Sequence, residues 1–322
     1  MAGMQPVRRV NTPDELREHI RENTPCIYTL PPDEPLFSPQ QWSKPRLVEA
    51  WGDTKLTTRS TPSKKFVDPA DHFWSVVHAL LAQKTTLRSF LETELQTGAI
   101  LSGTDTYLFH KGRSTPQWAT LWEQVREIHA PEGAAPLFPV ETLQTAGLWL
   151  SGEGVKTLLH YDDSGDHNLN IQVCGNKRIT LFPPSDWVNL NTFLAMGMHP
   201  MGCYQALHQA ETTNHSKYPL THTSPLCAEL QASDALFIPA YWFHFIEHRD
   251  VFNANISCWF TPDAAHPPPF KPRQSCRNVG LVVRLASAWL LAGGLTMIQR
   301  LTGSNLGVSL CRRMLSLPSG HP

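Results

Sequence analysis

The amino-acid sequence predicts a mainly β fold with flanking helices, in which a double-stranded β-helix (jelly roll) core is followed by a C-terminal helical segment. Three observations support this fold class. From Thr106 onward, short apolar runs alternate with turn residues, which is typical of a sandwich or barrel. Gly175 and Asn176 separate two of these runs in the manner of a tight hairpin. Helical patterns occupy the N-terminal part and the stretch after Pro267–Pro269.

The N-terminal part predicts helices that alternate with short strands. Thr12, Pro13 and Glu15 mark a helix start, because Thr caps the first turn, Pro fits the first helical position and an acid follows early. The predicted elements are a helix from Thr12 to Arg21, a strand Cys26–Leu30, a helix Ser38–Ala50, a strand Lys55–Arg59 and a helix Asp71–Leu95.

The core is predicted to consist of short apolar strands separated by turns. A longer connection, Asp186–Pro225, is rich in His, Thr and Asn and is too long for an ordinary turn, so we expect it to carry function or to be disordered. The predicted core strands are Thr106–Phe109, Gly147–Ser151, Lys156–His160, Asn168–Cys174, Arg178–Phe182, Leu226–Gln231, Ala235–Pro239, Phe243–Glu247 and Asn255–Phe260.

Two regions are expected along the chain. Residues 1–270 would form a catalytic domain that includes the N-terminal helices, and residues 271–322 a C-terminal helical segment. Within that segment, Leu285–Ile298 carries no charge. A membrane-spanning helix needs about 20 apolar residues, so this shorter run predicts a buried or oligomer-forming helix rather than a membrane anchor. We expect Leu285 and Trp289, which lie on one helix face, to contact a second copy of the chain in a homodimer.

Composition and charge narrow the class of protein. Hydrophobic residues make up 41% and charged residues 17%, which is a globular composition. The 27 Lys and Arg residues balance 28 Asp and Glu residues, so the overall charge does not indicate nucleic-acid binding. The seven cysteines are dispersed without a CxxC pair, and Met1–Arg17 lacks the apolar stretch of a signal peptide. These features favour the reducing interior of a cell, in the cytoplasm or the nucleus.

Two sequence segments supply candidate metal ligands. His160 and Asp162 end a predicted strand, and residues two apart in an extended chain project from the same face. His244 begins the strand after a Pro corner and would complete the set, with His248 as an alternative third ligand. Two imidazoles and one carboxylate with open coordination positions are the arrangement of non-haem Fe(II) oxygenases. An HxD spacing also arises by chance, and a His in an aromatic strand is often a hydrogen-bonded core residue.

Lys177 is a candidate anion-binding residue because it opens the strand after the hairpin. A Lys buried at a barrel mouth needs an anionic partner, whereas a Lys at the hairpin surface is simply solvated. Thr157 lies three residues before His160, so in a regular strand it faces away from the candidate metal site. A local twist or bulge would be needed for Thr157 to share an anion with Lys177.

The motifs that carry these residues resemble the JmjC (cupin-like) hydroxylases, and within that family most closely the asparaginyl hydroxylase branch, factor inhibiting HIF. The resemblance covers about Cys26 to Phe260. It rests on the segments Thr157–Asp162, Lys177–Pro184 and Phe237–His244, together with Asn168.

The resemblance implies a cupin fold that uses Fe(II), 2-oxoglutarate and dioxygen to hydroxylate a side chain of a protein or peptide. By position, it implies that His160, Asp162 and His244 hold the iron. It also implies roles for four further residues: cosubstrate binding by Lys177, Thr157 and Tyr107, and an outer polar contact by Asn168. The C-terminal helices of this family often form a homodimer.

This chain departs from the family pattern at three places. Ser257 stands where the asparaginyl hydroxylase has Asn in its last core strand, and Ser233–Asp234 replaces the common Gly-Asp turn. The segment Asp186–Pro225 matches only loosely, so substrate identity does not transfer. Demethylation of methyl-lysine and hydroxylation of a modified tRNA base remain alternatives within the family. A catalytically silent cupin that binds a metal, a ligand or a partner protein remains the alternative outside it.

Overall fold

The computed structural model describes residues 4–60, 73–101, 104–130, 133–157, 159–190, 223–268, 271–272, 279–304 and 306–314. Its helices are α1 Pro13–Arg21, α2 Lys44–Trp51, α3 Phe73–Leu80, α4 Leu87–Ser89, α5 Ala119–His129, α6 Val279–Thr302 and α7 Leu306–Met314. Its strands are β1 Gln5–Pro6, β2 Arg8–Val10, β3 Cys26–Thr29, β4 Lys55–Ser60, β5 Ala82–Thr86, β6 Ala99–Leu101, β7 Tyr107–His110, β8 Arg113–Ser114, β9 Leu143–Ser151, β10 His167–Cys174, β11 Lys177–Phe182, β12 Leu226–Leu230, β13 Asp234–Ile238, β14 Phe243–His248 and β15 Asn253–Phe260.

Two mixed sheets form the core. The smaller sheet has the strand order β1-β12-β11-β14, and the larger follows β2-β3-β13-β10-β15-β9-β6-β4-β5, with β7 paired to β9 and β8 to β7. An apolar cluster joins the sheets, since it contains Ile179 and Leu181 of the small sheet and Leu236 and Ile238 of the large one. The predicted mainly β fold with a jelly-roll core and a C-terminal helix is confirmed.

Helices cover the outer face of the large sheet. Leu16 of α1, Leu47 of α2 and Val125 of α5 are buried in one cluster with outward-facing residues of β10 and β15. Helix α1 begins as its sequence predicts: Glu15 N–H donates to the Thr12 hydroxyl, and the Glu15 carboxylate accepts from Thr12 N–H. The side chains of β10 therefore point alternately toward the helices and toward the space between the two sheets, called the interior below. Those that point into the interior are polar.

Three sequence predictions of secondary structure are wrong. The region predicted as one helix from Asp71 to Leu95 contains α3, then strand β5, then α4 and a π-helical turn, because β5 pairs with β4 along its whole length. The second helix begins at Lys44 rather than Ser38, after a 3₁₀ turn at Pro35–Phe37. In the described part of Lys156–His160, isolated bridges to β14 at Lys156 and His160 replace the expected continuous strand.

The C-terminal helices pack on α3. Ala288, Ala292 and Leu295 of α6 lie in an apolar cluster with Val77 of α3 and Val308 of α7. The side chains of Leu285 and Trp289 lie outside the described residues, as does most of the connection Asp186–Pro225. Among the described residues, none of the helices combines the length and apolar character that crossing a membrane requires.

Candidate metal centre

The segment that carries His160 and Asp162 runs beside the first half of β14. His160 N–H donates to the carbonyl of His244 at 3.2 Å, and His244 N–H donates back to the carbonyl of His160 at 2.7 Å. This pair of backbone bonds places two residues that are far apart in sequence directly opposite each other. Their imidazole rings lie 4.2 Å apart between centroids.

The structure brings the three sequence-predicted ligands together. One potential ligand atom from each of His160, Asp162 and His244 lies within 4.8 Å of the others. His160 Nε2 and Asp162 Oδ1 are 3.9 Å apart. The intervening Tyr161 points the opposite way and is fully buried, with its ring edge-on to Phe243 at 5.0 Å. The alternation expected of an extended chain therefore holds locally, although the segment is not a regular strand.

Two hydrogen bonds orient the candidate ligands. His244 Nδ1 lies 3.1 Å from the carbonyl oxygen of Trp242, so Nδ1 carries the proton there and Nε2 is left with a lone pair. Trp259 Nε1 donates to Asp162 Oδ2 at 2.8 Å. Outer hydrogen bonds of this kind fix ring tautomers and carboxylate orientation at metal sites.

Lys177 is completely buried on the interior face of β11. Its Nζ donates to Asn170 Oδ1, and Asn170 Nδ2 in turn donates to Ser257 Oγ at 2.9 Å. Burial lowers the pKa of Lys177 well below its ordinary value. Within the described part of the chain, no carboxylate forms an ion pair with Lys177. The interior therefore holds a buried amine whose only described partner is a neutral amide.

The neighbouring Arg178 faces outward, as strand alternation requires. Its Nε donates to the Glu229 carboxylate on β12, and this ion pair is partly exposed to solvent. The two adjacent cations therefore differ in environment: Arg178 forms an ion pair at the surface, and Lys177 is buried in the interior.

His248, the alternative third ligand, lies apart from the three grouped residues. It is on the same face of β14 as His244 but sits opposite Lys177, whereas His244 sits opposite Leu181. Its ring is buried, and its Nδ1 has no hydrogen-bond partner. Burial, and then the charge of Lys177, lower the pKa of His248 to about 3. The geometry therefore groups His244, and not His248, with His160 and Asp162.

The remaining sequence-predicted residues lie on three different segments of the chain. Asn168 is buried on β10 and its Oδ1 has no hydrogen-bond partner. Tyr107 is half-buried and lies opposite Gly147, where an added methyl group would be 3.5 Å from the Tyr107 ring and 3.3 Å from the Trp259 ring. Gly147 thus lets both rings approach the same point. The Thr157 hydroxyl accepts from Ile246 N–H at 3.0 Å, so it is held against β14.

Sequence reasoning missed Asn170 and Trp259. Asn170 is in contact with Lys177, and Trp259 with Asp162. A signal for the first was present, because Asn168, Asn170 and Gln172 alternate along one strand and must share one face. No local pattern marks Trp259, since its partner lies 97 residues earlier in the chain.

Known proteins share parts of this sequence. Human HSPB1-associated protein 1 is 30% identical over 132 residues, which are 40% of this chain and 26% of that protein. Lysine-specific demethylase JMJ31 of Arabidopsis thaliana is 29% identical over 128 residues, 37% of this chain and 21% of that protein. Human tRNA wybutosine-synthesizing protein 5 is 35% identical over 119 residues, 37% of this chain and 33% of that protein. The matched parts span a third or less of these relatives.

A family-level match extends over more of the chain than any of these pairwise similarities. The profile of the cupin-like domain covers residues 12–266, which include all three candidate ligands and every strand of the two sheets except β1 and β2. Members of this family include 2-oxoglutarate-dependent hydroxylases and demethylases. Because this match takes in well over half of the sequence, the protein belongs to the cupin-like JmjC domain family.

Proposed function

We propose that the protein is a Fe(II)- and 2-oxoglutarate-dependent dioxygenase that hydroxylates a side chain of a protein or peptide. One observation carries the proposal: His160, Asp162 and His244 converge within 4.8 Å on the interior of a jelly roll. Two imidazoles and one carboxylate on one side of a metal leave positions open on the other side. Those open positions are what a cosubstrate and dioxygen require.

The residues present fit such a metal. The hydrogen bond from His244 Nδ1 to Trp242 leaves Nε2 of that ring available as a neutral nitrogen ligand. Asp162 keeps Oδ1 directed toward His160 while Trp259 holds Oδ2. When bound together, Fe(II), 2-oxoglutarate and dioxygen supply the oxidation that inserts one oxygen atom into a C–H bond.

Lys177 provides the second half of the argument. A buried ammonium without an anion is costly, and a carboxylate reaching it would offset that cost. We assign it to the far carboxylate of 2-oxoglutarate, with Thr157 and Tyr107 as further partners and Asn168 as an outer polar contact. Asn170 holds the Lys177 amine in place through the chain of hydrogen bonds that continues to Ser257. These residues bind and orient, and the apolar cluster between the sheets keeps water away.

The test is consumption of 2-oxoglutarate. Purified protein with added Fe(II) and air is expected to convert 2-oxoglutarate to succinate, and the His160→Ala protein is not. Peptides from the native cell are then incubated with both proteins and searched by mass spectrometry for the gain of one oxygen atom. Metal binding without any succinate, with or without peptides, would instead identify a silent metal-binding cupin.

The substrate class is tested by running the same assay on alternative substrates. The names of two relatives, a lysine-specific demethylase and a tRNA wybutosine-synthesizing protein, supply the competing substrates: methyl-lysine peptides and tRNA. A balanced charge of 27 basic and 28 acidic residues favours a peptide over a polyanion. Loss of a methyl group from a peptide, or oxidation of tRNA alone, would overturn the proposed peptide hydroxylation. The resemblance to the asparaginyl hydroxylases predicts that the residue found oxidised in this assay is Asn.

A further inference from the structure

Lys177 and His248 form a pair on adjacent strands of the small sheet. They are direct partners in the antiparallel register of β11 and β14, and both project into the interior. Lys177 is completely buried and His248 is 6% exposed. Burial, and then the charge of Lys177, lower the pKa of the His248 ring.

The hydrogen-bonding capacity of this pair is largely unused. Lys177 Nζ has three N–H donors, and in the described part of the chain one of them is bonded, to Asn170. His248 Nδ1 has no partner at all. A buried polar atom without a partner is destabilising, so an unpartnered imidazole nitrogen beside an amine with donors to spare needs an explanation.

A buried orphan His alone is not sufficient evidence for a ligand. His129 also has two unpartnered ring nitrogens, but it is stacked on Phe138 at 3.8 Å in the apolar cluster beneath the helices. What distinguishes His248 is its neighbour: the amine of Lys177 and the imidazole of His248 both offer donors toward the same interior space. An anion with two acceptor oxygens satisfies both groups at once, whereas a metal ion would be repelled by Lys177.

We propose that His248 is a second donor to the far carboxylate of the cosubstrate, beside Lys177, and thereby selects a dicarboxylic 2-oxo acid. In this arrangement one carboxylate oxygen accepts from Lys177 Nζ and the other from His248 Nδ1–H of the neutral ring. Asn170 is a positioning residue that holds the amine, and Ser257 accepts from Asn170 in turn. The inference rests on the proposed function, since it assumes that the site takes 2-oxoglutarate.

The test compares two ligands that differ only at the far end. Full-length protein loaded with Mn(II) is titrated calorimetrically with 2-oxoglutarate and with 2-oxobutyrate, which has the same 2-oxo acid group but no second carboxylate. The ratio of the two dissociation constants measures selectivity for that carboxylate and does not depend on the fraction of active protein. Variants are His248→Leu, which removes the donor, His248→Gln, which retains one, and His129→Leu as a matched loss of a buried orphan imidazole.

The expected result is a selective loss of affinity. His248→Leu should weaken 2-oxoglutarate binding by about tenfold, the size of one hydrogen bond to a charged group, and leave 2-oxobutyrate unchanged. His248→Gln should recover most of that loss, and His129→Leu should leave the ratio at the wild-type value. An unchanged ratio in His248→Leu overturns the inference while the proposed function stands. If His248→Leu does not fold, His248→Phe serves as a second variant without a donor, and a wild-type ratio in that variant overturns the inference as well. Wild-type protein that binds neither ligand overturns the proposed function itself.

Discussion

The indole N–H of Trp259 donates a 2.8 Å hydrogen bond to Oδ2 of Asp162, joining the last core strand to the segment that carries two of the three candidate metal ligands. This bond occupies one carboxylate oxygen and leaves the other, Oδ1, 3.9 Å from His160 Nε2. Asp162 is thus held in one orientation by a residue that no local motif connects to it. An ordered carboxylate loses less conformational freedom when it binds a metal.

Replacing Trp259 with Phe should lower metal affinity without removing a ligand. Loss of an outer hydrogen bond at a metal site typically weakens binding by roughly 10- to 100-fold. Calorimetric titration with Mn(II) measures this change. Trp149→Phe is the control, because Trp149 Nε1 is buried without a partner and its ring lies near Trp259. Equal losses of affinity in both variants would show that Trp259 acts through the size of its ring and not through its hydrogen bond.

The three converging residues should each be indispensable for metal binding. His160→Ala, Asp162→Ala and His244→Ala are expected to abolish Fe(II)-dependent succinate formation and to leave the melting transition cooperative. His248→Ala should retain metal, because its ring sits opposite Lys177 and outside the converging group. Metal retention in His244→Ala together with metal loss in His248→Ala would reverse the assignment of the third ligand.

Lys177 and Arg178 should differ sharply in their effect on cosubstrate binding. Loss of a charge-assisted contact costs roughly 1.5–3 kcal/mol, so Lys177→Ala should weaken 2-oxoglutarate by about ten- to a hundredfold. Arg178→Ala should change it little, since that side chain pairs with Glu229 on the outside of the sheet. Anaerobic titration of the Fe(II) protein measures both, and metal affinity should survive in each. A larger loss in the Arg178 variant would mean that the inward-facing set of β11 is misassigned.

Buried histidines should make the protein sensitive to mild acid. Burial lowers the pKa of His129 and of His167 to about 4, from an ordinary value of 6.5. As the pH falls from about 6.5 toward 4, the unfolded chain takes up protons that the folded chain excludes, so the free energy of unfolding decreases. Each such group contributes a slope of about 1.4 kcal/mol per pH unit. Urea denaturation at pH 7, 6 and 5 should show a shallower slope for His129→Leu than for wild type.

The exposed face of α6 should form a contact with a second copy of the chain. Val283, Leu290 and Met297 recur at seven-residue intervals and are 59%, 66% and 63% exposed. Gly294 lies on this face with open space around it, so another helix could approach closely. Light scattering is expected to find a dimer, and Leu290→Arg to produce a monomer.

The control for that experiment is Val251→Arg, because Val251 is 75% exposed in a turn far along the chain from α6. It should leave the dimer intact. The sequence-based choice of Leu285 and Trp289 is tested in the same way with Arg substitutions, since their side chains lie outside the described residues. A wild-type monomer at micromolar concentration in detergent-free buffer would contradict the prediction.

The amino-acid sequence alone determined the features that depend on neighbouring residues. The helix start at Thr12, the hairpin at Gly175 and the shared direction of His160 and Asp162 were all readable, because they follow from short-range backbone geometry. The same alternation predicted that Lys177 and Arg178 face opposite sides of their strand. Together with the succession of short apolar strands, these features were enough to predict the fold class and to nominate His160 and Asp162, with His244 or His248 as the third ligand.

The tertiary structure decided what depends on strand pairing between distant segments. Ala82–Thr86 is extended because it pairs with β4, although its own pattern favours a helix. The grouping of His244 rather than His248 with His160 follows from the register of β11 and β14 and from the bridge at His160. Contacts of Asn170 with Lys177 and of Trp259 with Asp162 arise in the same way. Periodicity describes one segment at a time, whereas these contacts depend on which segments lie side by side, and that is set by the packing of the whole sheet.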